Sequence, residues 1–264
     1  MHGDTIQLVI APSAFYAAAE GAVFMQTNHQ NTIVEDLLEF VAPTRCIMCD
    51  KPGEVLCEDC IEQIVCVDPA SNCLACGAPF GRVVCSECFD MEFKTDICLV
   101  ATTFEEPIPR IIKGYKDCYE RRLGDIIADM LVDTFEHALV CDAADYEVLT
   151  HDVVVYVPDT ARAYRRRGFD HMEYVAQRFC ECTNLPLIDA LVKHKARDQR
   201  LLSREERLDT ATYAQYEVVQ EVAGKGILLL DDVVTTGATM NKAAAALKQA
   251  GATRVDVLAL ARVY

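Results

Sequence analysis

At 264 residues, with 52% hydrophobic side chains and a formal net charge of −16, the chain has ample material for one large domain or two modest ones. That acidity excludes nucleic-acid wrapping as the work of the surface as a whole, because phosphate contacts need a net basic face; a local basic patch stays compatible with it. Of the 14 cysteines, eight form four Cys-x-x-Cys pairs between residues 46 and 88, which is the spacing of zinc knuckles in a reducing compartment and not of a secreted disulfide scaffold.

Taken in chain order, residues 1–31 carry no strong pattern and read as an extension, either disordered or a mis-annotated start with Met25 as the true one. The most apolar stretch, Ile6 to Met25, is broken by Pro12, Glu20 and Gly21 and has no Lys or Arg before it. Neither a membrane helix nor a signal peptide is expected there, and the expected location is the cytoplasm, away from membranes. Ile33, Val34, Leu37, Leu38 and Val41 fall on one face of a short helix that Pro43 ends.

A cysteine-rich module follows, with its bounds set at residues 32–92. Cys46, Cys49, Cys57 and Cys60 form one set and Cys73, Cys76, Cys85 and Cys88 a second. Each set supplies four thiolates for a tetrahedral zinc ion, which leaves no open position for chemistry, so both sites read as structural. Whether ligation is sequential or crossed between the sets stays open. Cys66 is an unpaired extra, and four tandem pairs argue against a thioredoxin-like redox role.

Residues 93–264 read as a second domain. Cys98 to Phe104 is a predicted strand, and Pro107 and Pro109 mark the start of a basic helical stretch through Lys116. Leu123, Ile126, Ile127, Met130, Leu131, Phe135 and Leu139 recur at helical spacing within residues 120–140. His151 to Val157 reads as a buried strand, and Gly168 to Cys182 as a helix. The polar stretch 193–217 reads as a long loop or irregular hairpin, the usual character of a lid. Gly226 to Leu230 is a further strand, Ala238 to Gln249 a helix stopped by Gly251, and Arg254 to Leu260 the last strand. Strand and helix alternate from residue 150 onward, which predicts a parallel α/β sheet.

The richest segment is the end of the Gly226 strand, where Asp231 and Asp232 precede Thr235, Thr236, Gly237, Ala238 and Thr239 and then a helix. A helix N-terminus presents unpaired backbone N–H groups to a phosphate, and small residues let the backbone come close. Ionised carboxylates accept from hydroxyls, so the two aspartates are candidates for holding a sugar. A capped strand-to-helix turn is the plainer alternative. Arg162, Arg165, Arg166 and Arg167 follow the His151–Val157 strand, where they form either a phosphate-binding loop or a solvated basic turn. Lys113 and Lys116 are weighed evenly between ligand contacts and an ordinary helix face.

The acidic pair with its Thr-Gly turn resembles the 5-phosphoribosyl-1-pyrophosphate (PRPP) signature of type I phosphoribosyltransferases. From about Val34 to Arg262 the order of motifs resembles the ComF/GntX family: Pro43 to Cys46, the four knuckles, Ile112 to Lys116, the Arg167-Gly168-Phe169 run, Gln199, Leu202 and Arg207 in the polar stretch, and the acidic turn. The resemblance implies an α/β fold: a type I phosphoribosyltransferase-like parallel sheet flanked by helices, behind a small zinc-binding module. It implies that Asp231 and Asp232 are the catalytic, ribose-binding pair and that Thr235 to Thr239 cradle the 5-phosphate. Arg162, Arg165, Arg167, Lys113 and Lys116 would assist the pyrophosphate, with magnesium carried by PRPP. The implied reaction transfers ribose 5-phosphate to an unidentified acceptor with release of pyrophosphate, in a setting linked to DNA uptake, with competence proteins or single-stranded DNA as partners. A PRPP-sensing or nucleic-acid-handling factor without turnover is the alternative. The chain departs from the family at Tyr156, Asp170, His171 and Thr210, near the expected pyrophosphate and acceptor positions.

Overall fold

The structure, a computed structural model, describes residues 43–79, 84–140, 150–194 and 216–263. The expected helix at Ile33–Val41 and the residues Gln199, Leu202, Arg207 and Thr210 lie outside them. Four strands form a parallel sheet: β1 (Cys98–Thr103), β2 (Val153–Tyr156), β5 (Gly226–Val234) and β6 (Arg254–Arg262), in the order β1-β6-β5-β2. A separate antiparallel pair joins β3 (Leu191–Lys193) to β4 (Tyr216–Val218). These two short strands are the stems of the polar stretch read as a long loop or irregular hairpin, and their antiparallel pairing fits the hairpin.

The central strands are apolar on both sides, as strands covered on both faces must be. Leu228 and Leu230 point into a core shared with α2 (Ile108–Cys118), α3 (Arg122–Val140) and α5 (His171–Thr183). Ile227 and Leu229 point the other way, against Met240, Ala243, Ala244 and Leu247 of α6 (Ala238–Gln249). Alternation of side chains along one strand thus divides two cores and sets the helices in two layers. The small face of α6 lets that helix lie close on the sheet.

The first cysteine set, with α1 (Glu58–Ile61), is part of the larger core: Cys46, Cys57, Cys60 and Leu56 are buried with Ile111, Tyr115 and Leu123. The second set forms its own small cluster with Ala78 and Phe93. Between the two sets the chain runs antiparallel along the outer edge of β1. Val67 N–H donates to the Ala101 carbonyl and Thr103 N–H to that of Val65, at 2.9 and 3.1 Å. At the opposite edge, Val154 of β2 exchanges hydrogen bonds with Pro186 and Ile188. Both edges of the sheet are therefore covered by the protein's own backbone.

Two expected boundaries differ. Strand β5 does not stop at Leu230 but continues through both aspartates to Val234, because β6 pairs with it as far as Arg262. The arginine run is not a loop but a short helix, α4 (Ala161–Arg167). Thr160 Oγ1 caps its start by accepting from Ala163 N–H at 3.2 Å, and Gly168 ends it at a φ of 81°, where a side chain would be strained. Among the described residues, no helix is long and apolar enough to cross a membrane.

Candidate functional site

The site lies at the carboxyl ends of β5 and β2, where ligands gather in open parallel sheets. Asp231 is buried; its Oδ1 accepts from the Asp232 backbone N–H at 2.9 Å. Asp232 is held by the Lys116 ammonium, which reaches it from α2. Its Oδ2 also faces His171 Nε2 at 3.4 Å. Sequence reasoning paired Lys113 with Lys116, but the fold separates them: Lys116 enters the site and Lys113 is exposed.

His171 stands on α5, and its position is built by the loop after β2. Asp170 caps α5 through Oδ1, which accepts from Met172 N–H at 2.9 Å, and its Oδ2 accepts from Asp159 N–H at 2.6 Å. One side chain thus ties the start of the β2–α5 connection to its end. Asp159 then receives Arg167 at 2.8 Å and His171 Nδ1 at 2.9 Å. The ionised Asp159 fixes Nδ1 as the donor, so the neutral imidazole turns its Nε2 lone pair toward Asp232. Burial raises the Asp159 carboxyl, but His171 and Arg167 outweigh it and hold the group down at about 2. Burial lowers the basicity of His171, against the pull of Asp159.

Asp231 and Lys116 show the same tension. Burial pushes the Asp231 carboxyl up to about 7, with Lys116 and Lys193 opposing. Burial lowers Lys116 to about 8, with Asp231 opposing. Near neutral pH the pair is poised to change protonation, as acid–base and ligand-binding groups are.

Beyond the carboxylates, Thr235 and Thr236 are exposed and the turn closes at Gly237, with a φ of 73°. Gly237 starts α6 without a side-chain cap. Thr236 Oγ1 is 3.4 Å from Ala238 N–H, and Arg262 holds the turn by donating to the Thr235 carbonyl at 2.7 Å. Ala238 and Thr239 are exposed on the first turn. Arg162, Arg165 and Arg166 project from α4 into solvent, and Arg167 alone turns inward onto Asp159.

Asp159 is the residue that sequence reasoning missed. Its signal was its position immediately after Val157 and Pro158 at a strand end, but its role depends on a loop that folds back on itself. Asp159, Asp170 and His171 bring ligand atoms within 4.8 Å of one another. Arg167 and two backbone N–H groups already engage the carboxylates, so the trio is an ion-pair network and not a metal centre.

The two cysteine sets do fit metal. In each, four sulfurs lie within 4.8 Å of one another. The sulfurs group within each sequential set and not across them: Cys49 and Cys57 are 3.5 Å apart in the first set, and Cys76 and Cys85 are 3.9 Å apart in the second. Backbone N–H groups point at the sulfurs, from Cys57 to Cys46 Sγ and from Cys85 to Cys73 Sγ. Burial raises the Cys46 and Cys73 thiols, but backbone N–H donors more than offset it and leave them at about 6 and about 7. One sulfur in each set is thereby poised as the thiolate a zinc ion needs.

Comparison with known proteins bears on this geometry. The phosphoribosyl transferase domain family matches residues 164–263. The chain is similar to Competence protein F of Haemophilus influenzae, with 25% identity over 229 residues that cover 83% of this chain and 96% of the relative. It is similar to Competence protein ComFC of Streptococcus pneumoniae, with 27% identity over 230 residues, 83% of this chain and all of the relative. A solved glutamine PRPP amidotransferase from B. subtilis aligns with 52% of this chain and a quarter of its own, at 22% identity and a TM-score of 0.36.

Proposed function

We propose that the chain is a ComF-type protein, with a phosphoribosyl transferase domain behind a cysteine-rich module, and that it binds PRPP and transfers ribose 5-phosphate to an acceptor with release of pyrophosphate. The observation that carries this is the convergence of Lys116 and His171 on Asp232, beside buried Asp231 and below an uncapped helix N-terminus.

Asp231 and Asp232 accept from the ribose hydroxyls, and the backbone of 235–239 receives the 5-phosphate. Asp231 must be ionised to accept, and nearby Lys116 supports its charge. As the bond to pyrophosphate breaks, negative charge grows on the leaving group and a cation is needed beside it. Lys116 reaches Asp232, and Arg162 and Arg165 are exposed on α4, while Arg166 faces Asp117 at 3.6 Å. A magnesium ion would arrive with PRPP, held by diphosphate oxygens and water, and would neutralise part of that charge. His171, held by Asp159, offers Nε2 as a proton acceptor beside Asp232. The 32–92 module serves as a zinc-bound scaffold for the 93–264 domain. The relatives' names support a link to competence.

A second reading, binding without turnover, is favoured by one contact: Arg167, expected on the pyrophosphate, is committed to Asp159. Calorimetric titration with PRPP and magnesium tests both. Saturable binding by the zinc-loaded chain, abolished in the Asp231→Asn, Asp232→Asn double variant, is expected, and absence of binding by the wild type overturns the proposal. Pyrophosphate release on incubation with candidate acceptors separates transferase from sensor.

A further inference from the structure

A cavity of about 350 Å³ opens between the end of α2 and α5, and neither Asp231 nor Asp232 lines it. Its size lies at the lower end of small-ligand sites. Four aromatic rings line it: Tyr115 and Tyr119 from the end of α2, Phe169 from the α4–α5 corner, and Tyr174 from α5. The Phe169 ring stands 5.9 Å from Tyr115 and 6.0 Å from Tyr119, centroid to centroid. This array depends on Gly124, because a Cβ there would lie 2.8 Å from Tyr115 and 3.0 Å from Tyr174. Tyr119 is 54% exposed despite its size.

The polar groups define what such a cavity takes. Arg121 already lies over the Tyr174 ring, 4.7 Å from its centroid, so the cage holds a cation of its own and is ill suited to a second. Aromatic walls then favour a flat, neutral, polarisable ring. Glu173 and Gln177, exposed and one turn apart on α5, sit at the mouth. A carboxylate accepts from an exocyclic amine, and a carboxamide both donates and accepts, which matches the edge of adenine or cytosine. Asp170, the remaining acid in the wall, has both oxygens engaged by backbone N–H groups. The geometry points to a nucleobase site in this cavity, selective for bases that carry an exocyclic amine and independent of the PRPP-binding reading.

The test is calorimetric titration of the zinc-loaded full chain with adenosine, cytidine, inosine and uridine. Nucleosides are used because they lack the phosphate that would draw a nucleotide to the Thr235–Thr239 turn. Adenosine and cytidine are expected to bind in preference to inosine and uridine. Tyr119→Ala, at an exposed ring, is expected to weaken binding roughly tenfold or more. Glu173→Ala, which removes the carboxylate acceptor at an exposed position, is expected to reduce the preference for the amine. Binding should persist with PRPP saturating and in the Asp231→Asn, Asp232→Asn variant. No nucleoside binding, or binding that PRPP displaces or the double variant abolishes, overturns the inference. Nucleoside binding by a chain that fails to bind PRPP supports it and removes the proposed function instead.

Discussion

Asp231 is a carboxylate that works against the fold that holds it. Its proton affinity is raised from 3.8 to about 7 by burial. Between those two values the folded protein retains a proton that the unfolded chain has released, so this group makes unfolding free energy fall as pH rises across that window. Asp231→Asn keeps the shape and removes the ionisation. It is expected to raise stability at pH 8 by on the order of 2 kcal/mol, while PRPP binding is lost. Thermal unfolding of wild type and variant at a series of pH values checks this: the difference should vanish near pH 4 and be full by pH 8, and a less stable variant at pH 8 refutes it. The aspartate was legible in sequence because its partners are its neighbours, the apolar run before it and the Thr-Gly turn after it. Lys116 was legible as a candidate but not separable from Lys113, since only the packing of α2 decides which lysine faces inward. The Asp159–His171 contact spans 12 residues and two helix caps, and no local pattern contains it.

Among the elements, α6 was read from sequence to the residue and β5 at its start, because period and capping chemistry are local. The end of β5 was misplaced because Asp231 and Asp232 look like strand terminators, whereas pairing with β6 carries the strand past them. Strands β3 and β4 are three residues each, too short for a periodic signal, and they exist through their mutual pairing. The turn of the second cysteine set is the tightest join between module and sheet. Gly77 has a φ of 73°, and a Cβ there would stand 2.1 Å from Val100 Cγ2 of β1. Val100 is β-branched and buried, so it has little freedom to yield. Gly77→Ala is expected to destabilise the protein by about 2 kcal/mol or more, seen as a lower urea midpoint with diminished metal content.

At the scale of the whole molecule, three of the four cysteines of the first set are buried with the helices that carry Tyr115 and Leu123, so this set and the packing beneath the candidate site belong to one cooperative unit. Mass spectrometry under native conditions is expected to find two zinc ions per chain. Stripping them with a chelator is expected to shift one unfolding transition downward and leave no separate minor one; a loss of ~3 kcal/mol corresponds to about 10 °C for a chain of this size. An unchanged transition would show the module to be an independent appendage. The knuckle spacing was legible in sequence; the merging of the first set with the main core was not, because burial of Cys46 and Cys60 depends on helices more than fifty residues away.

The backbone cover along β1 has a further consequence. An uncovered strand edge is a template for another molecule of the same kind. Val65 to Val67 occupy that template for Cys98–Thr103, and they lie between the two cysteine sets. If zinc fills both sets, its removal is expected to free a row of growth points as well as to lower the stability of the chain. In concentrated solution its decay should follow the kinetics of polymerisation, with a lag and a steep dependence on concentration.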